Sequence, residues 1–263
     1  MTPMRTIPLP ALALAALAAA APAVAPALDQ AQTDAVIRAI DEMERSGGDY
    51  KALAYIEAKE KDKTDVVYEM LAYRRSADQK LMFLFLEPRT EAGKGYLRIE
   101  KNLWFYDPRV GRWERRTERE RIGGTDTRRG DLDESRLAEE YVARWEADEM
   151  LGKFPVHKIL LTARPGVDVA FPSVRLWVNR ETGTVMKRQD LALSGRLMRT
   201  SYYPRWKKAY SESKKGEVWY AEEMRIYDEV EKANQTLILI KSVDLRPLEA
   251  NLFTKAWLES KSR

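Results

Sequence analysis

The sequence contains no cysteine and a single histidine, His157. Without cysteine there is no disulfide, no thiol nucleophile and no thiolate-ligated metal, and an acyl anchor on a lipobox cysteine is excluded. One histidine with no second histidine or cysteine leaves a metal or catalytic site without its usual partners, so His157, within a strand between Val156 and Lys158, reads as structural. No Gly-x-Ser-x-Gly nucleophile turn occurs, and Gly123-Gly124 lacks the context of a phosphate- or dinucleotide-binding loop. Carboxylates are plentiful, but their spacing recommends no glycosidase-like pair. These absences point to a protein that is not an enzyme and carries no cofactor and no metal. Past the N-terminal segment, no stretch approaches the roughly 20 apolar residues of a membrane-spanning helix.

What is present begins with an export pattern. Arg5 supplies a positive charge, Ala11 to Ala21 is an apolar run of Ala and Leu, and Ala25-Pro26-Ala27 is a small-residue cleavage site. Residues 1–27 are therefore expected to be a cleavable signal peptide, and residues 28–263 a single domain. Export without disulfides suggests a periplasmic protein that is not lipid-anchored. The charged fraction is 33% and the net charge only +4, with acids accompanying bases nearly everywhere, so nucleic acid is not an expected partner.

Period-two alternation dominates the rest. An amphipathic helix over Asp29–Arg45, with Asp29 or Thr33 as cap, carries Val36, Ile37, Ile40 and Met43 on one face. Alternating segments follow from Tyr50 onward. Leu81-Met82-Phe83-Leu84-Phe85-Leu86 and Leu237-Ile238-Leu239-Ile240 are apolar on both faces and need cover on both. Gly93 to Asp126 reads as an aromatic-rich meander, Tyr96–Glu100 and Leu103–Tyr106 being strands stopped by Asp107-Pro108. Further strands are expected over Tyr141–Met150, Phe154–Arg164, Val174–Arg180, Val185–Leu193, Leu197–Tyr203, Glu217–Glu229 and Thr236–Leu245. A short helical turn over Asp131–Leu137 and a closing helix over Leu248–Leu258 complete the pattern. The expected fold is mainly β with α: an incomplete antiparallel β-barrel of about eleven strands, its concave side covered by the terminal helices.

Several motifs resemble the outer-membrane lipoprotein-sorting (LolA-like) family. They are Gly95-Tyr96-Leu97-Arg98-Ile99, Leu103-Trp104-Phe105-Tyr106 with Pro108, Gly124-Thr125-Asp126 with Asp131-Leu132, and Asn251-Leu252-Phe253-Thr254 with Trp257-Leu258. The likeness spans about residues 50–260 and is greatest to the branch found beside exporters of the resistance-nodulation-division type. It implies a half-barrel whose hydrophobic cavity carries the acyl chains of a lipid or lipoprotein between such an inner-membrane exporter and the outer membrane. Phe83, Phe85, Leu97, Ile99, Trp104 and Tyr106 are the candidate cavity wall. The arm after Gly111 places Arg115, Arg119 and Arg121 on one strand face with Trp113, a candidate surface for a lipid headgroup or a partner. The alternative reading is an accessory protein that docks on an exporter through those arginines and carries nothing itself.

Overall fold

The computed structural model describes residues 27–45, 48–75, 78–99, 102–116, 122–123, 125–127, 131 and 135–262. Its first element is α1 (Gln30–Arg45). Asp29 caps it in a reciprocal box: its carboxylate accepts from Gln32 N at 2.8 Å, and the Gln32 side chain accepts from Asp29 N at 2.9 Å. Ile37 and Ile40 form its buried stripe.

Six strands follow: β1 (Tyr50–Lys59), β2 (Val66–Arg75), β3 (Lys80–Glu87), β4 (Gly95–Ile99), β5 (Asn102–Asp107) and β6 (Arg112–Arg116). A crossover containing α2 (Leu137–Glu140) leads to seven more: β7 (Tyr141–Leu151), β8 (Phe154–Ala163), β9 (Ser173–Asn179), β10 (Val185–Leu191), β11 (Leu197–Ser211), β12 (Gly216–Asp228) and β13 (Gln235–Asp244). A 3-10 turn (Ala250–Leu252) and α3 (Lys255–Lys261) close the chain.

The thirteen strands form one antiparallel sheet in the order β6-β5-β4-β3-β2-β1-β13-β12-β11-β10-β9-β8-β7. The first and last strands pair at its centre, from Lys51 opposite Asp244 to Lys59 opposite Gln235. Among the described residues no pairing joins β6 to β7, so the barrel stays open. It is nevertheless strongly curled. Met70 on β2 and Leu176 on β9 line one cavity although five strands separate theirs in the sheet.

Alternation sets the two faces. On the inner face Ala54, Ile56, Met70, Ala72, Phe83 and Phe85 join one core with Met224, Ile226 and Ile238. A second core packs Ile37, Ile40 and Leu137 onto Ile159, Leu161, Leu176 and Val178. The alternate positions of β3 and β4, Met82, Leu84 and Leu97, point to the outer face, where Phe253 and Leu258 cover them. Fully burying each of these two costs nothing in polar pairing and contributes about 1.5–3 kcal/mol.

Three expectations are corrected. Among the described residues there are thirteen strands rather than about eleven, the meander supplying β4 and β5 and the start of the charged arm supplying β6. Of the two terminal helices only α1 covers the inner face; the closing helix lies on the outer one, and it is broken at Thr254, whose hydroxyl caps α3 by accepting from Trp257 N at 3.2 Å. Finally β11 does not stop at Tyr203. It runs through Pro204 to Ser211, and register irregularities flank Arg205.

That extension makes an arm. Pairing of β11 with β10 ends at Tyr202, and β13 pairs with β12 only over Glu223–Tyr227. From Pro204 to Ser211 the strand therefore pairs only with residues of β12, a setting that tolerates proline, which donates no ladder hydrogen bond. The arm bends over the inner face until its tip meets the end of α1, where a Cβ added to Gly48 would stand 2.1 Å from Ser213 Oγ. Among the described residues no helix is long and apolar enough to cross a membrane.

Candidate ligand-binding cavity

Between the curled sheet and the elements above it lies a cavity of about 240 Å³. Its floor is Ala54, Met70, Ala72, Met224, Ile238 and Ile240; Leu176 and Val185 form the far wall. The space exists because alanine stands where a larger residue would fill the inner face. Ile40 of α1 and Leu137 of α2 form the roof, and Trp206, Val218, Trp219, Tyr220 and Ala221 of the arm close the side. Trp206 is tied back to the sheet by its indole N–H, which donates to the Val185 carbonyl at 3.0 Å.

The roof is held by the second core and by polar latches. Asp41 of α1 receives Leu137 N at 2.9 Å, Ala138 N at 2.8 Å and the Ser135 hydroxyl at 2.5 Å, which joins the helix to the crossover. Tyr68 donates to the Gly123 carbonyl at 2.6 Å, and Asp126 N donates to Thr236 Oγ1 at 3.0 Å. The strongest latch is ionic. Arg199 grips both oxygens of Asp131 at 2.6 and 2.8 Å, meets Asp190 at 2.7 Å and donates to the Asp126 carbonyl at 3.2 Å. Asp190 also accepts from Arg188 at 2.7 Å. Burial raises the affinity of Asp190 for a proton, but Arg188 and Arg199 more than offset it and hold the carboxyl below its usual range.

One end of the cavity is polar. Glu44, at the end of α1, is pushed up to about 7 by burial, with Asp41 adding to the shift and Arg74 and Arg188 opposing it. Arg74 donates from Nη2 to the Glu44 carbonyl at 3.0 Å and lies 5.4 Å from the centre of the Tyr50 ring. Burial likewise pushes Tyr50 up to about 12 and raises Tyr203.

None of the six candidate wall residues lines this cavity. Phe83 and Phe85 lie on the inner face but in the packed core beside it. Leu97 and Tyr106 belong to the outer-face cluster under α3, and Trp104, of the same parity as Tyr106 on β5, sits beneath Lys255 at 4.1 Å. Ile99 shares the parity of Leu97 on β4 and is 37% exposed. A strand apolar on both faces does not reveal which face is inside, and here Trp104 and Tyr106 of β5 went to the helix side while Phe105 packs on the inner core. Arg115 is exposed on β6, at the same parity as Trp113, whose indole N–H donates to Glu259 of α3 at 2.6 Å. Arg119 and Arg121 lie outside the described residues, as do Gly124, Leu132 and residues 1–26 of the expected signal peptide. His157 is paired through Nδ1 with Asp148 at 2.6 Å, and Asp148 also accepts from the Trp145 indole.

Sequence reasoning missed Glu44, Arg74, Arg188 and the aromatic arm. The inner-parity alanines were the available signal for the cavity; nothing local marked the charged groups, which converge only through the curl.

A family model described as an uncharacterized protein matches residues 77–260, more than two-thirds of the chain. The chain belongs to that family. Its fold is LolA-like. It is similar to the LolA superfamily protein NE2245 from Nitrosomonas europaea, at 20% identity and a TM-score of 0.72, over 86% of this chain and 98% of that one. A domain described as outer membrane lipoprotein-sorting, from Vibrio parahaemolyticus, matches at 17% identity and a TM-score of 0.74 over 88% and 100% of the two chains. A DUF1329 family protein from Desulfovibrio piger matches at 16% identity and 0.73 over 87% and 98%. No curated protein matches in sequence. The motif resemblance thus holds at the level of the fold.

Proposed function

We propose that this protein is a non-enzymatic carrier that shelters an acyl chain in the inner-face cavity while crossing the periplasm. The observation that carries the reading is an apolar floor roofed by separate segments latched through side chains. An acyl chain in water costs about 0.8 kcal/mol per CH₂, so moving one between membranes needs a dry enclosure. The cavity of about 240 Å³ is smaller than the roughly 300–1,000 Å³ of typical ligand pockets, so loading requires the roof to move outward. The latches supply the place for that movement, since each can open without dismantling the sheet.

The likeness to a lipoprotein-sorting domain supports a lipid or lipoprotein cargo. Delivery from an inner-membrane exporter of the resistance-nodulation-division type to the outer membrane is the route that the motif resemblance supports. Native mass spectrometry of the protein purified from cell envelopes tests the reading. Bound lipid is expected; protein that emerges ligand-free and also fails to take up an added acyl probe would overturn it.

A further inference from the structure

A cavity meant only for hydrocarbon has no use for charge, because a buried ion without a partner is costly. Yet Glu44, Arg74 and Arg188 meet at one end of this one. Two other charged residues of the lining are already committed: Asp131 is gripped by Arg199, and Arg136 donates to Gln79 at 3.2 Å. Arg188 and Arg199 balance Asp190 and Asp131, so that network is neutral as a unit.

Arg74 is different. It spends Nη2 on a backbone carbonyl, while its Nε is buried with no hydrogen-bond partner. An arginine held against a tyrosine face, with its Nε–H unspent and the apolar floor beside it, suits an oxygen of a carboxylate or phosphate. Glu44, on α1, is a cavity carboxylate that interacts with both Arg74 and Arg188. It occupies the place of an internal counter-ion.

Resting on the carrier reading, we infer that this end is a headgroup site, and that the cargo is a single-chain amphiphile bearing one anionic carboxylate or phosphate. The headgroup lies on Arg74 in competition with Glu44, and the chain runs over Met70, Met224 and Ile238. Around Glu44 stand Asp41 of α1, Arg74 of β2, Arg188 of β10 and Tyr203 of β11, with Tyr50 of β1 against Arg74. Of these cations, Arg74 alone can be replaced without stranding a buried aspartate.

The test measures binding of hexadecanoate, hexadecyl phosphate and hexadecanol, which share one chain, to the exported protein at pH 8. At least one anion is expected to bind about tenfold more tightly than the alcohol, the value of one charge-assisted hydrogen bond; which anion wins identifies the headgroup. Arg74→Gln should abolish that advantage and leave the alcohol unchanged. Glu44→Gln, which removes the competitor, should tighten the anion at pH 8. Equal binding of all three probes, or an equal loss of all three in Arg74→Gln, overturns the headgroup site and leaves the carrier intact. No binding of any probe overturns the carrier reading as well.

Discussion

Replacing Asp131 with alanine removes the ionic latch between the crossover and the sheet. Two charge-assisted hydrogen bonds to Arg199, at 2.6 and 2.8 Å, are lost, each worth about 1.5–3 kcal/mol. The network of two arginines and two aspartates is left with one uncompensated positive charge, and breaking such a buried pair costs about 3–5 kcal/mol. Both routes converge on a loss of about 3 kcal/mol or more, a large part of the roughly 5–15 kcal/mol that holds a typical domain folded. Arg199 keeps Asp190, so the opening should be centred on the roof. Urea denaturation reads the global loss, and amide exchange at residues 122–127 reads the local one. The double variant Arg199→Met with Asp131→Leu removes one charge of each sign and leaves Arg188 paired with Asp190. It should therefore cost less than Asp131→Ala alone. A loss below about 1 kcal/mol in Asp131→Ala, with exchange at 122–127 unchanged, would refute the latch.

Two further expectations concern the roof and the outer helix. Glu44 ionises in the unfolded chain near 4.5 but only at about 7 in the fold. Its raised value contributes stability that is present below pH 4.5 and lost as pH rises through 7. Glu44→Gln should therefore match the wild type at pH 4, gain on it between pH 4.5 and 7, and be more stable above pH 8 by up to about 3 kcal/mol; parallel stability curves across that range would count against the raised value. On the outer face, a Cβ at Gly95 would stand 2.5 Å from the Phe83 carbonyl and 2.8 Å from Leu258 Cδ1. Gly95→Val should cost about 1–3 kcal/mol through overpacking and expose Trp257 to an aqueous quencher, and a thermal midpoint equal to the wild type would show that α3 does not dock there.

The fold was legible because alternation and turn residues are local signals. Leu81 to Leu86 announced cover on both faces, and the structure supplies the inner core with Ile122 above and α3 below. What alternation cannot supply is the sign of the face. That one ambiguity sent Leu97, Trp104 and Tyr106 to the cavity in the reading and to α3 in the molecule. The arm was missed for another reason. Pro204 and the basic Arg205, Lys207 and Lys208 resemble a strand end, whereas a two-stranded ribbon outside the sheet accommodates both. The charged end of the cavity joins residues 44, 74 and 188, whose meeting depends on a curl summed over many strands and on no local pattern.

The central claim is that the inner-face cavity holds an acyl chain. The most direct measurement is native mass spectrometry with lipid extraction on the envelope-purified protein, beside an Ala72→Phe variant that fills the floor. Ala72 lines the cavity and is buried, and phenylalanine there takes up the volume that a chain would use. One bound lipid per protein is predicted in the wild type, and a loss of at least about tenfold in occupancy, equivalent to about 1.4 kcal/mol, in the folded variant. Equal occupancy in the two proteins, or none in the wild type with or without added acyl probe, would contradict the account.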